Sequence, residues 1–99
     1  MDVQERNNVF FEAVNEAMQK AWALIKVKNE GYNQVTFVGD YFPHGETDLT
    51  YEIGKKIKRI DNSLEAEKKG VVLAESIEDS VLDIINYAAF IYALRKGRT

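Results

Sequence analysis

The chain has 99 residues, which allows one domain with a thin hydrophobic core. Its 13 Lys and Arg against 16 Asp and Glu give a net charge of −3, and this argues against a general binder of nucleic acid polymers, which would carry a basic surplus. The absence of cysteine excludes disulfides and thiol nucleophiles, and the single histidine argues against a histidine-rich metal site. With a polar N-terminus and no apolar run near the ~20 residues of a membrane span, we expect a soluble cytoplasmic protein without a membrane partner.

The first predicted helix runs from about residue 3 to residue 30. Its apolar residues recur with the period of an α-helix: Phe10, Val14, Ala17, Ala21, Leu24 and Ile25. A helix of about 28 residues spans about 42 Å, which is long for so small a protein. Such a helix needs partners along its whole apolar stripe, so we expect a homodimer or higher oligomer to complete a helical bundle.

Two further helices are predicted, at about residues 48–69 and 76–96. The stripe of the second helix is narrow and consists of Leu49, Ile53, Ile57, Ile60 and Leu64. The third helix is apolar around most of its circumference, which is typical of a helix at the centre of a fold or assembly. The only proline and three of the six glycines place one long irregular segment between about residues 31 and 47. We therefore predict a single all-α domain of three main helices over residues 1–99.

Four polar residues fall within one quarter of the circumference of the third helix: Glu75, Asp79, Asp83 and Asn86. A buried, unpaired carboxylate is strongly unfavourable, so these groups need partners. Glu75, Asp79 and Asp83 can share Mg²⁺, which prefers oxygen ligands. Alternatively, Asp79 completes a helix cap that begins at Ser76, while Asp83 and Asn86 bond a neighbouring helix.

Basic and aromatic residues suggest where a ligand could bind. Lys56 and Arg59 flank the stripe of the second helix, where they can reach a phosphate or form salt bridges to the third helix. Lys28, Asn29 and Tyr32 end the first helix, where they either close it or offer a charge, an amide and a ring to a nucleotide. The irregular segment carries four aromatic residues that either stack on a base or form a small satellite core: Tyr32, Phe37, Tyr41 and Phe42.

These residues, in this spacing, resemble the nucleotide modification associated domain 1 family of small α-helical proteins common in bacteriophages. The resemblance covers about residues 25–94, and it is carried by Lys28-Asn29-x-x-Tyr32, by Lys56-x-x-Arg59 and by Glu75-Ser76-Ile77-Glu78-Asp79-x-x-x-Asp83-x-x-Asn86-Tyr87. It implies a role in handling nucleotides. The ligand-binding residues would be Lys28, Asn29, Tyr32, Lys56, Arg59, Asp83, Asn86 and Tyr87, and the Mg²⁺ ligands would be Glu75, Asp79 and Asp83.

The family is in turn similar to the all-α nucleoside triphosphate pyrophosphohydrolases, which hold Mg²⁺ between an E-E-x-x-E motif and an E-x-x-D motif. This chain has no E-E-x-x-E motif, and Glu12 and Glu16 point away from the apolar stripe of the first helix. Three functions stay open: an Mg²⁺-dependent pyrophosphohydrolase, a non-catalytic phage-type protein that sequesters a nucleotide signal of bacterial defence between its subunits, and a helical scaffold whose polar residues fix subunit register.

Overall fold

The computed structural model describes residues 1–31, 38–73 and 76–98, without the side chains of residues 27–31, 39 and 40. It contains the helices α1 (Val3–Gly31), α2 (Val38–Tyr41), α3 (Glu46–Lys68) and α4 (Ile77–Arg95). The predicted all-α fold with three main helices is confirmed, with each main helix bounded within two residues of its expected ends. No strand occurs in the described part of the chain, and none of its helices has the length and apolar character required to cross a bilayer.

Local hydrogen bonds fix the N-terminal ends of α3 and α4. Gly45, with a φ of 58°, precedes α3 in the left-handed region that suits glycine. The Asp48 carboxylate accepts the backbone N–H of His44 at 2.8 Å, which ties the preceding loop to the first turn of α3. At the start of α4, the Ser76 hydroxyl oxygen accepts the backbone N–H of Asp79 at 3.1 Å. Ser76 therefore caps α4 as the pattern read from the sequence indicates, through the backbone of Asp79.

The short helix α2 corrects the expectation of an entirely irregular segment between residues 31 and 47. Phe42 follows α2 directly, and its ring lies 5.8 Å from Tyr87 and 6.4 Å from Phe90 on α4. Contacts between residues this far apart in sequence hold the end of the segment against α4, and local propensity gives no sign of them.

α4 lies between the other two main helices and contacts both. α3 and α4 are antiparallel, and Arg95 in the last turn of α4 lies 2.6 Å from the Glu46 carboxylate in the first turn of α3. The central position agrees with the apolar circumference of α4. One face nevertheless remains uncovered, because Val81, Ala88, Ala89 and Tyr92 are exposed.

The core of the described residues is small. Only two hydrophobic side chains are fully buried, Ala21 on α1 and Leu49 on α3. Ser63 on α3 and Ser80 on α4 are buried as well. Leu49 is thus the largest side chain in the core of this helix pair.

Replacing Leu49, which is 0% exposed, by alanine should lower the free energy of unfolding by about 2–5 kcal/mol, because it leaves a cavity beside α4. Leu64→Ala is the matched control, since this leucine of the same helix is 44% exposed and should lose no more than about 1 kcal/mol. Chemical denaturation followed by far-UV circular dichroism measures both. Equal losses of unfolding free energy in the two variants would contradict the assignment of Leu49 to the core and of Leu64 to the surface.

Candidate functional site

An ion pair joins α3 to α4 on the polar side of α4. The Lys56 ammonium nitrogen lies 2.9 Å from an Asp83 carboxylate oxygen, and the two side chains are only 12% and 21% exposed. Partial shielding from water makes this attraction stronger than that of a surface pair, but removing both charges from water offsets much of the gain. The pair therefore contributes more to positioning the two charges than to stability.

Tyr87 lies close to this ion pair and packs with two further aromatic rings, and we call Phe42, Tyr87 and Phe90 the aromatic cluster. Tyr87 follows Asp83 by one helical turn, and its ring lies 5.8 Å from Phe42 and 6.4 Å from Phe90 in edge-on geometry. Burial raises the pKa of the Tyr87 phenol, and the Asp83 carboxylate raises this pKa further, with partial opposition from Lys56. The phenol therefore stays protonated and can donate a hydrogen bond.

Asn86 ties α4 to α1. Its side-chain nitrogen donates a 3.0 Å hydrogen bond to the backbone carbonyl of Ala21, and the residue is buried. The sequence left open whether Asn86 would meet a ligand or a neighbouring helix, and this contact is of the second kind. Asn86 thus sets the position of α1 relative to the ion pair on α4.

The acidic residues proposed for Mg²⁺ are in different surroundings. Asp83 is bound by Lys56, Asp79 is exposed at the cap of α4, and Glu75 lies outside the described residues. Within residues 1–31, 38–73 and 76–98, no three His, Cys, Asp or Glu residues are grouped so that they could hold a metal ion. Binding of Mg²⁺ by Glu75, Asp79 and Asp83 stays a prediction.

The two carboxylates considered on the first helix point to solvent as predicted. Glu12 is exposed, and Glu16 forms a 2.9 Å surface ion pair with Lys20. Lys20 holds the pKa of the Glu16 carboxyl below its usual value, so this group is an ordinary surface anion. Neither residue lies on the apolar stripe of α1, which is the side that packs on α4.

The remaining predicted ligand residues divide into two groups. Arg59 is exposed on α3, close to one turn beyond Lys56. Lys28, Asn29, Tyr32 and Phe37 lie outside the described side chains. Of the aromatic residues in the loop, Tyr41 is exposed, whereas Phe42 packs on α4 as the satellite-core interpretation expected.

Phe90 is the member of the aromatic cluster that the sequence did not single out. It follows Tyr87 by three residues, and this spacing places the two rings on one side of a helix. That spacing was available as a signal, but it is also common among residues that only pack in a core. What distinguishes Phe90 is its contact with Phe42, which is 48 positions earlier in the sequence.

A cavity of about 180 Å³ lies between the end of α3 and the start of α4, two turns from Lys56 along α3. The described residues that line it are apolar or uncharged apart from Glu67 and Glu78, and none is basic. A phosphate would meet two carboxylates there without a compensating cation. The cavity is therefore less suited to a nucleotide than the region of Lys56 and the aromatic cluster.

No protein-family model, curated protein or solved structure matches this chain. The resemblance to the nucleotide modification associated domain 1 family thus stays a prediction that depends on the quoted residues.

The raised pKa of Tyr87 predicts a loss of stability in alkaline solution. The unfolded chain releases the phenolic proton from about pH 10, whereas the folded chain keeps it to higher pH. This contribution to stability is therefore complete below about pH 10 and falls as the pH rises through the folded pKa. Denaturation at a series of pH values measures the free energy of unfolding, which should decline less steeply above about pH 10 in Tyr87→Phe than in the parent protein. Tyr51→Phe, at an exposed position, should show the same decline as the parent.

Asn86→Asp should destabilise the protein by about 1–3 kcal/mol at neutral pH, because a carboxylate would face the Ala21 carbonyl without a proton to donate. Acidification should recover part of the loss, since a protonated carboxyl restores a donor. Asn62→Asp, at an exposed position of α3, provides the control for the added charge. A loss for Asn86→Asp that does not depend on pH would contradict the assigned hydrogen bond.

Proposed function

We propose that this protein binds a nucleotide or nucleotide-derived small molecule at the Lys56–Asp83 ion pair and the aromatic cluster beside it. The observation that carries the proposal is the half-buried ammonium group of Lys56, fixed 2.9 Å from Asp83 on a helix whose next turn presents Tyr87. Fixed cations and aromatic rings are the two groups that recognise a phosphate and a base.

Each part of the site has a chemical role in this proposal. Lys56 offers a compact positive charge to a phosphate oxygen, and Asp83 keeps that charge in place. The Tyr87 phenol, which remains protonated because burial and Asp83 raise its pKa, donates to a second oxygen. The family resemblance adds Arg59 of α3 to this set. It also adds Asn86 of α4, and three residues at or just after the C-terminal end of α1 in the sequence: Lys28, Asn29 and Tyr32.

Binding without turnover is the better-supported form of this function. A metal-dependent hydrolase needs carboxylates available to its metal, and Asp83 is engaged with Lys56. The protein would then act as the resemblance suggests for a phage protein, by sequestering a nucleotide signal of bacterial defence in the host cytoplasm. If the ligand lies between subunits, the protein must also self-associate.

Mg²⁺-dependent pyrophosphate release is the second candidate. Asp79 is exposed one turn before Asp83, a spacing at which two carboxylates can share a hard cation, and Glu75 would be the third ligand. In this form the ion would polarise a phosphate and activate a water molecule. The carboxylate of Asp79 is the group whose removal separates the two candidates.

Isothermal titration and thermal shift against linear, cyclic and ADP-ribose-type nucleotides test the binding proposal. Lys56→Gln should weaken binding about 10-fold or more, because a charge-assisted hydrogen bond to phosphate is lost. Lys58→Gln removes the same charge from an exposed position of α3 and should leave the affinity within about 3-fold. No stabilisation by any of these nucleotides would refute the proposal.

Mass spectrometry of the ligand after incubation decides between sequestration and hydrolysis. Sequestration predicts that the nucleotide is recovered intact and that chelation of Mg²⁺ leaves binding unchanged. Hydrolysis predicts release of pyrophosphate or monophosphate, which stops with the chelator and in Asp79→Ala.

A further inference from the structure

The apolar stripe of α1 is covered by α4 over only part of its length. Ala21 is 1% exposed where Asn86 binds its carbonyl. Val14 and Phe10 lie on the same face two and three turns earlier, yet they are 42% and 61% exposed. Met18, at the edge of this face, is 56% exposed. The stripe therefore continues toward the N-terminus without a partner among the described residues.

Helix length explains why α4 cannot cover the whole stripe. α1 has 29 residues and α4 has 19, which correspond to about 43 Å and 28 Å. The longest dimension of the molecule is 44 Å, which is about the length of α1 alone. α1 is thus about 15 Å, or a third of its length, longer than the helix on which it packs.

The total surface is too large for a self-contained chain of this mass. The protein exposes 7743 Å², whereas a compact monomer of 11.3 kDa exposes about 5,700 Å². Its radius of gyration is 16.2 Å, against about 13 Å for a compact domain of this length. The excess of roughly 2,000 Å² per chain is in the range that a permanent homodimer buries on each subunit.

The charge distribution of α1 favours a second copy of the same helix, in antiparallel orientation, as the partner. Residues 2–16 contain one arginine and four carboxylates, namely Asp2, Glu5, Glu12 and Glu16. Residues 17–26 contain two lysines, Lys20 and Lys26, and no carboxylate. Antiparallel pairing centred near Val14 sets Asp2 and Glu5 of one helix beside the part of the other that carries Lys20 and Lys26, and it aligns the helix dipoles favourably. Glu12 and Glu16 lie level with each other near the axis, but on the side of each helix opposite the apolar stripe. These hydrated charges select orientation rather than supply affinity.

We infer that the part of α1 around Val14, from about Phe10 to Met18, forms the centre of a homodimer interface, with a two-fold axis close to Val14 and the two helices antiparallel. In this arrangement Phe10 packs near the partner's Met18, and the apolar side chains that α4 leaves uncovered are buried. A lipid surface suits the segment less well, since the polar side of residues 3–16 is acidic and membrane-surface helices carry basic residues there. The inference does not depend on any bound nucleotide.

Sedimentation equilibrium of the full chain without ligand tests the oligomer. We expect a mass of twice 11.3 kDa, and Val14→Glu should weaken association about 100-fold or more by placing an unpaired charge in the interface. Gln19→Glu adds the same charge at an exposed position on the opposite face of α1 and should leave the dimer intact. A chain that is monomeric at every concentration, or that binds phosphatidylcholine vesicles as a monomer, would overturn the inference.

Cysteine cross-linking keeps the inference testable if Val14→Glu fails to fold. The natural chain contains no cysteine, so a single introduced thiol has only its own copy as a partner. Under mild oxidation Val14→Cys should give a covalent dimer on a non-reducing gel, because the two-fold axis brings the two thiols together. Gln19→Cys should react at least about 10-fold more slowly, since its thiols face away from the interface. Equal rates for the two variants would place the interface elsewhere and overturn the inference.

Discussion

The structure depends on the pairing of the polar side chains that α4 carries among its many apolar residues. Asp83 is met by Lys56 of α3, and Asn86 is met by the backbone carbonyl of Ala21 on α1. Asp83 and Asn86 are three residues apart, so their side chains leave neighbouring parts of the α4 surface, about 60° apart, and one reaches α3 while the other reaches α1. They therefore fix both α3 and α1 against α4, and apolar packing fills the spaces between the helices.

This arrangement packs α1 and α3 separately on α4 instead of closing the three main helices over a shared core. Two fully buried hydrophobic side chains among the described residues are few for a domain of this length. The polar contacts specify how the helices meet, but they contribute little net stability because their groups must leave water. Stability must then depend on burying the outer faces, of which the uncovered stripe of α1 is the longest. A homodimer would bury this stripe, and the apparent stability of such a dimer would rise with protein concentration.

The sequence predicted the features that arise from local interactions. The helix bounds followed from apolar periodicity, and Ser76 was recognisable as a cap because its bond to Asp79 spans only three residues. The partner of Asp83 could not be decided, since a lysine on another helix and a metal ion satisfy a carboxylate equally well at the level of sequence. The packing of Phe42 on Tyr87, and with it the formation of α2, depends on contacts across 45 positions, and no local pattern encodes them.

The ion pair also constrains how a phosphate can bind. A phosphate that displaced Asp83 from Lys56 would leave two anions side by side with one cation, which the low local dielectric makes unfavourable. A metal ion could neutralise the second anion, and this is the condition under which the hydrolase would operate. Without a metal, the phosphate must share Lys56 with Asp83, and a neutral donor must lie close to both anions. Tyr87 can supply that donor, since burial, and after it the Asp83 carboxylate that would repel the phosphate, raise the pKa of the phenol. Metal-independent binding is therefore consistent with the electrostatics of the site only while Tyr87 carries its proton.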